Sequence, residues 1–219
     1  MKILASVLLA ALFLISPARA EDPQALVDKA KLSVESVLRD PNFGAARTQL
    51  KKARGIMVIP QLLKAGFVIG GEGGFGVLLS RDAQGRWSAP SFVSVAGASF
   101  GLQIGVESKE ALFIVMTDKG MASLLSAQAK LGADASVTAG PVGAGVEAAT
   151  TGSPAADILA FSKSQGLFGG AAVEGSVIQP KDDFNHAYYG RAVTPKQILV
   201  DRTVTNPGAD GLRGALGSI

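Results

Sequence analysis

Gly66-Phe67-Val68-Ile69-Gly70-Gly71-Glu72-Gly73-Gly74-Phe75-Gly76-Val77-Leu78-Leu79-Ser80 is the stretch whose reading decides the fold. Within it, Gly71 to Gly76 satisfies G-x-G-x-x-G after a strand-like run. In a dinucleotide fold that motif leads straight into a helix whose N-terminus holds the pyrophosphate. Here Val77-Leu78-Leu79-Ser80 follows, a short apolar run of strand type. The glycines therefore read as a bend or a close approach between strands, and the nucleotide reading falls. Gly143-Ala144-Gly145-Val146-Glu147-Ala148 falls for the same reason.

Working outward, the same texture extends on both sides. Strand-like runs of four to eight residues punctuated by Gly cover 56–59, 67–69, 77–80, 92–95 and 101–106. Their short spacing predicts antiparallel pairing, since a parallel pair needs a long crossover. Asp82-Ala83-Gln84-Gly85 supplies a hairpin turn between Leu79 and Trp87. The continuous apolar run 111–116 predicts a central strand, and 118–127 a helix capped by Thr117 or Asp118. Further strands are expected over 133–139, 142–148, 157–162 and 167–178, a helical turn over 182–189 and a short helix over 195–200. The Gly-rich tail 206–219 reads as flexible.

Before the glycine-rich half lie two amphipathic segments. Leu26, Ala30, Val34 and Val37 fall on one helical face. Asp40-Pro41 stops that helix and starts a second, Asp40 as cap and Pro41 in the first turn. In the second, Phe43, Ala46, Leu50 and Ala53 form an apolar stripe beside Arg47, Lys51, Lys52 and Arg54. From 41 to 64 there are five basic residues, Lys64 being the last, and no acidic one. The expected fold is α+β: a single domain with a curved or barrel-like antiparallel sheet, N-terminal amphipathic helices and short C-terminal helices. Glycines 66, 70, 71, 73, 74 and 76 would give its bends.

At the start, Lys2 precedes an apolar run over 3–15 and then Ser16-Pro17-Ala18-Arg19-Ala20. That is the layout of a secretory signal cleaved after Ala20, too short to span a bilayer as a helix. The expected organisation is a signal over 1–20, one domain over 21–205 and the tail, with export to a periplasm. Without Lys2 and Arg19, 19 basic residues face 18 acidic ones, so the net charge argues for no partner and only its distribution does. There is no cysteine, which excludes disulfides, thiolate metal sites, cysteine nucleophiles and a lipid-modified N-terminal cysteine.

Catalytic patterns are thin. Gly97-Ala98-Ser99-Phe100-Gly101 fits G-x-S-x-G, and the single histidine, His186, lies downstream with Asp118, Asp134 and Asp157 between. A nucleophile elbow needs a helix after the serine, whereas 102–106 continues as a strand. Asp182-Asp183 reads as a helix cap before it reads as a cation site. The basic segment has two readings: a cationic helix at an anionic interface, or a helix packed on the sheet with a solvated charged face. On spacing alone the second is the stronger. Nucleic acid fails for want of an aromatic stacking array.

A set of ordered motifs adds to this reading. Ala53-Arg54-Gly55-Ile56, Lys64-Ala65-Gly66-Phe67, Gly74-Phe75-Gly76 and Trp87-Ser88-Ala89-Pro90-Ser91 resemble the opening of the SYLF domain. Ala96-Gly97, Gly101-Leu102-Gln103-Ile104-Gly105-Val106-Glu107, Ala139-Gly140-Pro141-Val142-Gly143, Phe161-Ser162-Lys163-Ser164-Gln165-Gly166-Leu167-Phe168-Gly169-Gly170 and Glu174-Gly175-Ser176 continue it in order, and the segment from Asn185 to Tyr189-Gly190 resembles its close. The likeness covers roughly residues 43 to 190.

What the resemblance implies is a non-enzymatic, cofactor-free lipid-binding domain, here an exported bacterial member whose partner is the anionic phospholipid membrane surface. The basic amphipathic helix of the family maps onto residues 43–54. Lys51, Lys52 and Arg54 become candidate phosphate contacts, Phe43 and Leu50 candidate inserting residues, and Arg47 and Lys64 part of the same basic surface. The phosphoinositides and actin bound by eukaryotic members are not carried over. The helix is shorter and less basic than is usual in the family, and Ala144 stands where eukaryotic members often have Arg. Both departures imply weaker, less headgroup-specific binding. The alternatives are an envelope scaffold for a protein partner and, third, a serine hydrolase built on Ser99 and His186.

Overall fold

The computed structural model describes residues 22–140, 156–164 and 175–218. The leader expected over 1–20, the strand expected over 142–148 and Ala144 lie outside them, as does most of the strand expected over 167–178.

Helix α1 runs Pro23–Arg39, its first turn held by the Asp22 carboxylate, which accepts from the Gln24 N–H. Its apolar face buries Leu26, Val27, Ala30, Val34 and Val37. Asp40 ends α1 and accepts from the Asn42 N–H, starting a 3-10 turn at Pro41–Phe43 that leads into α2, Gly44–Leu50. Two strands follow, β1 at Gly55–Ser80 and β2 at Ser91–Val115. After them come α3 (Asp118–Leu124), β3 (Ala129–Lys130), β4 (Val137–Ala139), β5 (Ile158–Ser164), β6 (Val177–Pro180), α4 (Asp182–Tyr189), α5 (Pro195–Leu199) and α6 (Asp210–Gly217).

The runs expected as separate short strands merge into β1 and β2. Their glycines sit inside the ladder instead of ending it, Gly70 opposite Ser99 and Gly74 opposite Val95. At about 3.3 Å per residue such a ribbon would stretch roughly 85 Å if straight. It curls instead, with register shifts at Ile59/Leu62 and Gly66/Val68, places where extra residues sharpen bend and twist. The curl brings the two arms of β1 back against each other: the Arg81 N–H donates to the Arg54 carbonyl at 2.8 Å. A Cβ on Gly74 would stand 2.5 Å from the Gln61 carbonyl oxygen, and one on Gly76 would fall on that of Val58. The seam of this half-barrel exists because those positions carry no side chain.

β2 is the hub of the six strands found among the described residues. It pairs with β1 along its length, with β5 over Lys109–Val115 and with β6 over Val93–Ala96. These pairs are antiparallel, as expected. β4 lies parallel to β5, which the expectation of antiparallel pairing did not include.

Both faces of the sheet are covered. Ile56, Val58, Val77, Leu79, Leu112 and Ile114 pack with α1, α2 and α6 through residues such as Val34, Phe43, Leu50 and Leu212. Their neighbours Met57, Ile59, Leu78, Phe113 and Val115 pack with Met121, Leu124 and Ile198 on the other side. Two-sided burial explains why 111–116 is apolar without alternation.

Three shorter expectations resolve cleanly. The hairpin turn forms, with the Gly85 N–H donating to the Asp82 carbonyl and Gly85 at φ +81°. Thr117 caps α3 through the Gly120 N–H, and α5 opens with a Thr194/Gln197 capping box. Asp182 and Asp183 lie in the first turn of α4, but the cap position is Lys181, whose ammonium pairs with Asp183 at 2.9 Å. The tail departs from expectation: α6 buries Leu212 and Leu216 against the helical side, and the Gln24 amide reaches the Gly208 carbonyl at 3.1 Å. Small residues there let the helix lie close to α1, so the domain extends through the segment read as flexible.

Candidate functional site

The basic edge is built at the junction of α2 with β1. Arg47 is turned inward: its guanidinium donates to the Leu38 and Asp40 carbonyls at 2.9 and 2.8 Å, satisfying acceptors that the end of α1 leaves open. Arg81, from the far end of β1, donates to the Lys51 carbonyl at 2.6 Å while lying over the Trp87 ring. The Asp40 carboxylate receives the Asn42 N–H and the Lys163 ammonium (3.1 Å), and these hold its pKa below the usual carboxylate range. Lys163 also donates to Ser36, so the α1–α2 corner is tied to β5.

On this clamped corner Lys51 and Lys52 are exposed at the C-terminal end of α2, where the helix dipole favours cations. Arg54 is exposed as well and pairs with Asp118 at 3.3 Å. The structure thus groups Lys51, Lys52 and Arg54. It does not group Lys64 with them, because nine strand residues intervene and place it about 30 Å along β1, opposite Glu107.

Phe43 and Leu50 do not form a surface stripe. They are 0% and 2% exposed and lie in the helical-side core, Phe43 against the Phe161 ring with centroids 6.5 Å apart. The physical reason is that an amphipathic stripe has one apolar face, and here the sheet already covers it. As candidate inserting residues they are corrected to core residues, and Arg47 to a helix-end clamp. The packing reading of α2 accounts for its apolar side, while its exposed lysines stay available.

The remaining motifs sort into structural roles. Ser99 stands within β2 opposite Gly70, with strand on both sides, so the elbow that a serine nucleophile needs is missing there. His186 is exposed on α4. In the closing motif, the Phe92 N–H donates to the buried Asn185 amide oxygen at 3.0 Å, and the Tyr189 hydroxyl donates to the Pro90 carbonyl at 2.6 Å. These bonds pin α4 to the start of β2. Gly190 ends the helix at φ +69°. Tyr188 and Tyr189 are raised in pKa, chiefly by burial, Tyr188 to about 12.

One feature escaped the sequence reading. Glu72, opposite Gly97, and Lys109, opposite Leu62, sit far apart along the ribbon, yet the curl brings the Lys109 ammonium within 3.9 Å of the Glu72 carboxylate. The Ser176 hydroxyl donates to the same carboxylate at 3.1 Å, and a Cβ on Gly97 would crowd that hydroxyl at 2.6 Å. Only the spacing of Glu72 among glycines hinted that it is enclosed. Among the described residues no group of three acidic, His or Cys side chains forms a metal-binding cluster, and no helix is long and apolar enough to cross a membrane.

Comparison with known proteins fits this geometry. The sequence model of the family described as Ysc84, Las17-binding protein actin regulator, matches residues 96–219, more than half of the chain. The chain belongs to the Ysc84 (SYLF) family. It is 39% identical over 202 residues to Protein YSC84 of Saccharomyces cerevisiae, covering 87% of this chain and 43% of that protein. Against LAS seventeen-binding protein 3 of the same yeast it is 39% identical over 190 residues, covering 84% and 41%. The human SH3 domain-containing YSC84-like protein 1 is 30% identical over 170 residues, covering 77% and 49%. The chain spans under half the length of these curated relatives.

Proposed function

We propose that this Ysc84-family domain acts by binding and not by catalysis, as an exported, periplasmic module that associates peripherally with anionic phospholipid surfaces. The observation that carries the reading is the exposed Lys51-Lys52 pair, followed by Arg54, on a corner held rigid by Arg47, Arg81 and the Asp40–Lys163 pair. Because the apolar side of α2 is packed inward, this edge contributes charge: each lysine near an anionic surface is worth on the order of 1 kcal/mol, and the effect is screened by salt.

The test is co-sedimentation of the mature protein with phosphatidylcholine and with phosphatidylglycerol vesicles at low and moderate salt, beside Lys51→Glu/Lys52→Glu. Binding to anionic vesicles only, weakened by salt and by the charge reversal, supports the reading. Equal binding of both proteins to anionic vesicles removes the edge from the contact. A second reading, a scaffold for a protein partner, is favoured by the Las17-binding name of a relative; it predicts a partner captured by cross-linking whose binding is indifferent to vesicle composition.

A further inference from the structure

Both arms of the β1/β2 ribbon are apolar on both faces. In the first arm Ile56 and Val58 face the helical side and Met57 and Ile59 the other; in the second, Val77 and Leu79 alternate with Leu78 in the same way. Register is firmly specified where only one face of a strand is buried, because a slip then carries the wrong residues into the core. Here a slip exchanges one buried apolar side chain for another. Between the arms, residues 70–76 are glycine except for Glu72 and Phe75, and Gly71 to Gly73 oppose only Ala98, Gly97 and Ala96. Gly-rich strands are the ones whose alignment is weakest. The seam glycines fix how β1 meets itself, not how it lies on β2.

Glu72 does depend on that alignment. It opposes Gly97, and Ser176 lies on the other side of Gly97, one residue before β6, whose Val177 pairs with Ala96. The Glu72 side chain crosses the gap over Gly97 to receive the Ser176 hydroxyl at 3.1 Å. A Cβ on Gly97 would stand 3.3 Å from the same carboxylate oxygen. The curl delivers the Lys109 ammonium to the second oxygen at 3.9 Å, and the Glu72 and Lys109 side chains are only 3% and 11% exposed. This clasp joins β1, β2 and β6 at one place. After a slip of two residues every apolar side chain keeps to an apolar face, but Glu72 comes opposite Val95 or Ser99, away from the gap. After a slip of one it turns to the helical side.

We propose that the Glu72–Lys109–Ser176 clasp selects the register of β1 on β2. It works by penalty: a buried carboxylate stripped of its partners is strongly unfavourable, whereas a satisfied pair adds little over apolar residues of similar volume. Removing both charges leaves stability near that of the wild type and releases the alignment. The device is independent of what the surface of the protein binds.

The chain has no cysteine, so pairs of introduced cysteines report alignment without interference. Phe75→Cys/Ser94→Cys joins residues that face each other in the native register. Phe75→Cys/Ala96→Cys and Gly71→Cys/Ala96→Cys join residues that face each other only after a slip of two, one pair for each direction. Opposed residues lie about 4.5–5.5 Å apart, within reach of a disulfide, whereas diagonal neighbours at about 7–8 Å are not. Each pair is placed in the wild type and in Glu72→Leu/Lys109→Met, equilibrated in a glutathione redox buffer and read by mass spectrometry, beside urea unfolding of the two cysteine-free proteins. In the wild type only the native pair closes. In the variant, at a urea midpoint near that of the wild type, the slipped pairs close at least about tenfold more, as expected once a penalty of that size is removed.

Closure of the native pair alone in the variant, at whatever midpoint, overturns the proposal and makes the clasp a structural brace. Equal closure of the slipped pairs in both proteins overturns it as well, since the register would then be loose with the clasp intact. Should the variant fail to fold, Glu72→Met/Lys109→Met, whose unbranched side chains adapt to the same space, carries the same cysteine pairs.

Discussion

Gly74→Ala tests the claim that the half-barrel closes on its glycines. Gly74 is not among the positive-φ glycines, so alanine meets no backbone strain there and the cost is steric. The new Cβ would stand 2.5 Å from the Gln61 carbonyl oxygen and 3.0 Å from the Ile59 Cγ2, against about 3.5 Å for an unstrained contact. One arm of β1 must therefore retreat by about 1 Å. Overpacking of this kind costs roughly 1–3 kcal/mol, and the upper half of that range applies because the obstacle is backbone held in a ladder. Alanine also restricts the unfolded chain, which returns roughly 0.5 kcal/mol. The net expectation is a loss of about 2 kcal/mol, read in urea or thermal unfolding as a Tm lower by roughly 4–8 °C. Gly71→Ala is the control: its Cβ meets only the Gly97 carbonyl at 3.8 Å, and its stability should match or slightly exceed that of the wild type. Equal stability of the two variants would refute the seam argument.

Lys109→Met should cost about 3 kcal/mol by stranding the enclosed Glu72 carboxylate, and Glu72→Leu in the same chain should restore most of it; a double-mutant cycle in urea reads the coupling. Asp157 accepts from the Thr117 hydroxyl at 2.6 Å and from the Ser136 N–H and hydroxyl, with Lys119 nearby, and these bonds, Thr117 first, depress its pKa well below the usual range. A depressed carboxylate contributes stability above its unfolded pKa of about 3.9, and that stability is lost as pH falls from about 5 through the native value. Asp157→Asn should therefore be less stable at pH 7 by about 2 kcal/mol and show a flatter loss of Tm between pH 5 and 2. Leu212→Ala, in the helix that replaces the expected flexible tail, should cost roughly 2–4 kcal/mol, whereas a loosely held tail would show no change in the same melt.

The sequence by itself determined the elements whose signals are local. The Leu26/Ala30/Val34/Val37 stripe, the Asp40-Pro41 break, the Thr117 cap and the Asp82–Gly85 turn each act within one or two turns of chain, and each appears where its residues place it. The ordered motifs likewise carried the family. Tertiary structure decided the rest. A glycine inside a β run has the same local conformation whether it ends a strand or lets a long one bend, so the merging of short runs into β1 depended on β2 pairing across it. The stripe of Phe43 and Leu50 is equally suited to a sheet or a bilayer, and the sheet took it. The Gly-rich C-terminal segment has too little intrinsic helix preference to announce itself, and Leu212 and Leu216 acquire a reason to be helical only against α1. The Glu72–Lys109 pair comes from the curl of the ribbon, because the residues that meet there are separated along the chain and share no local signal.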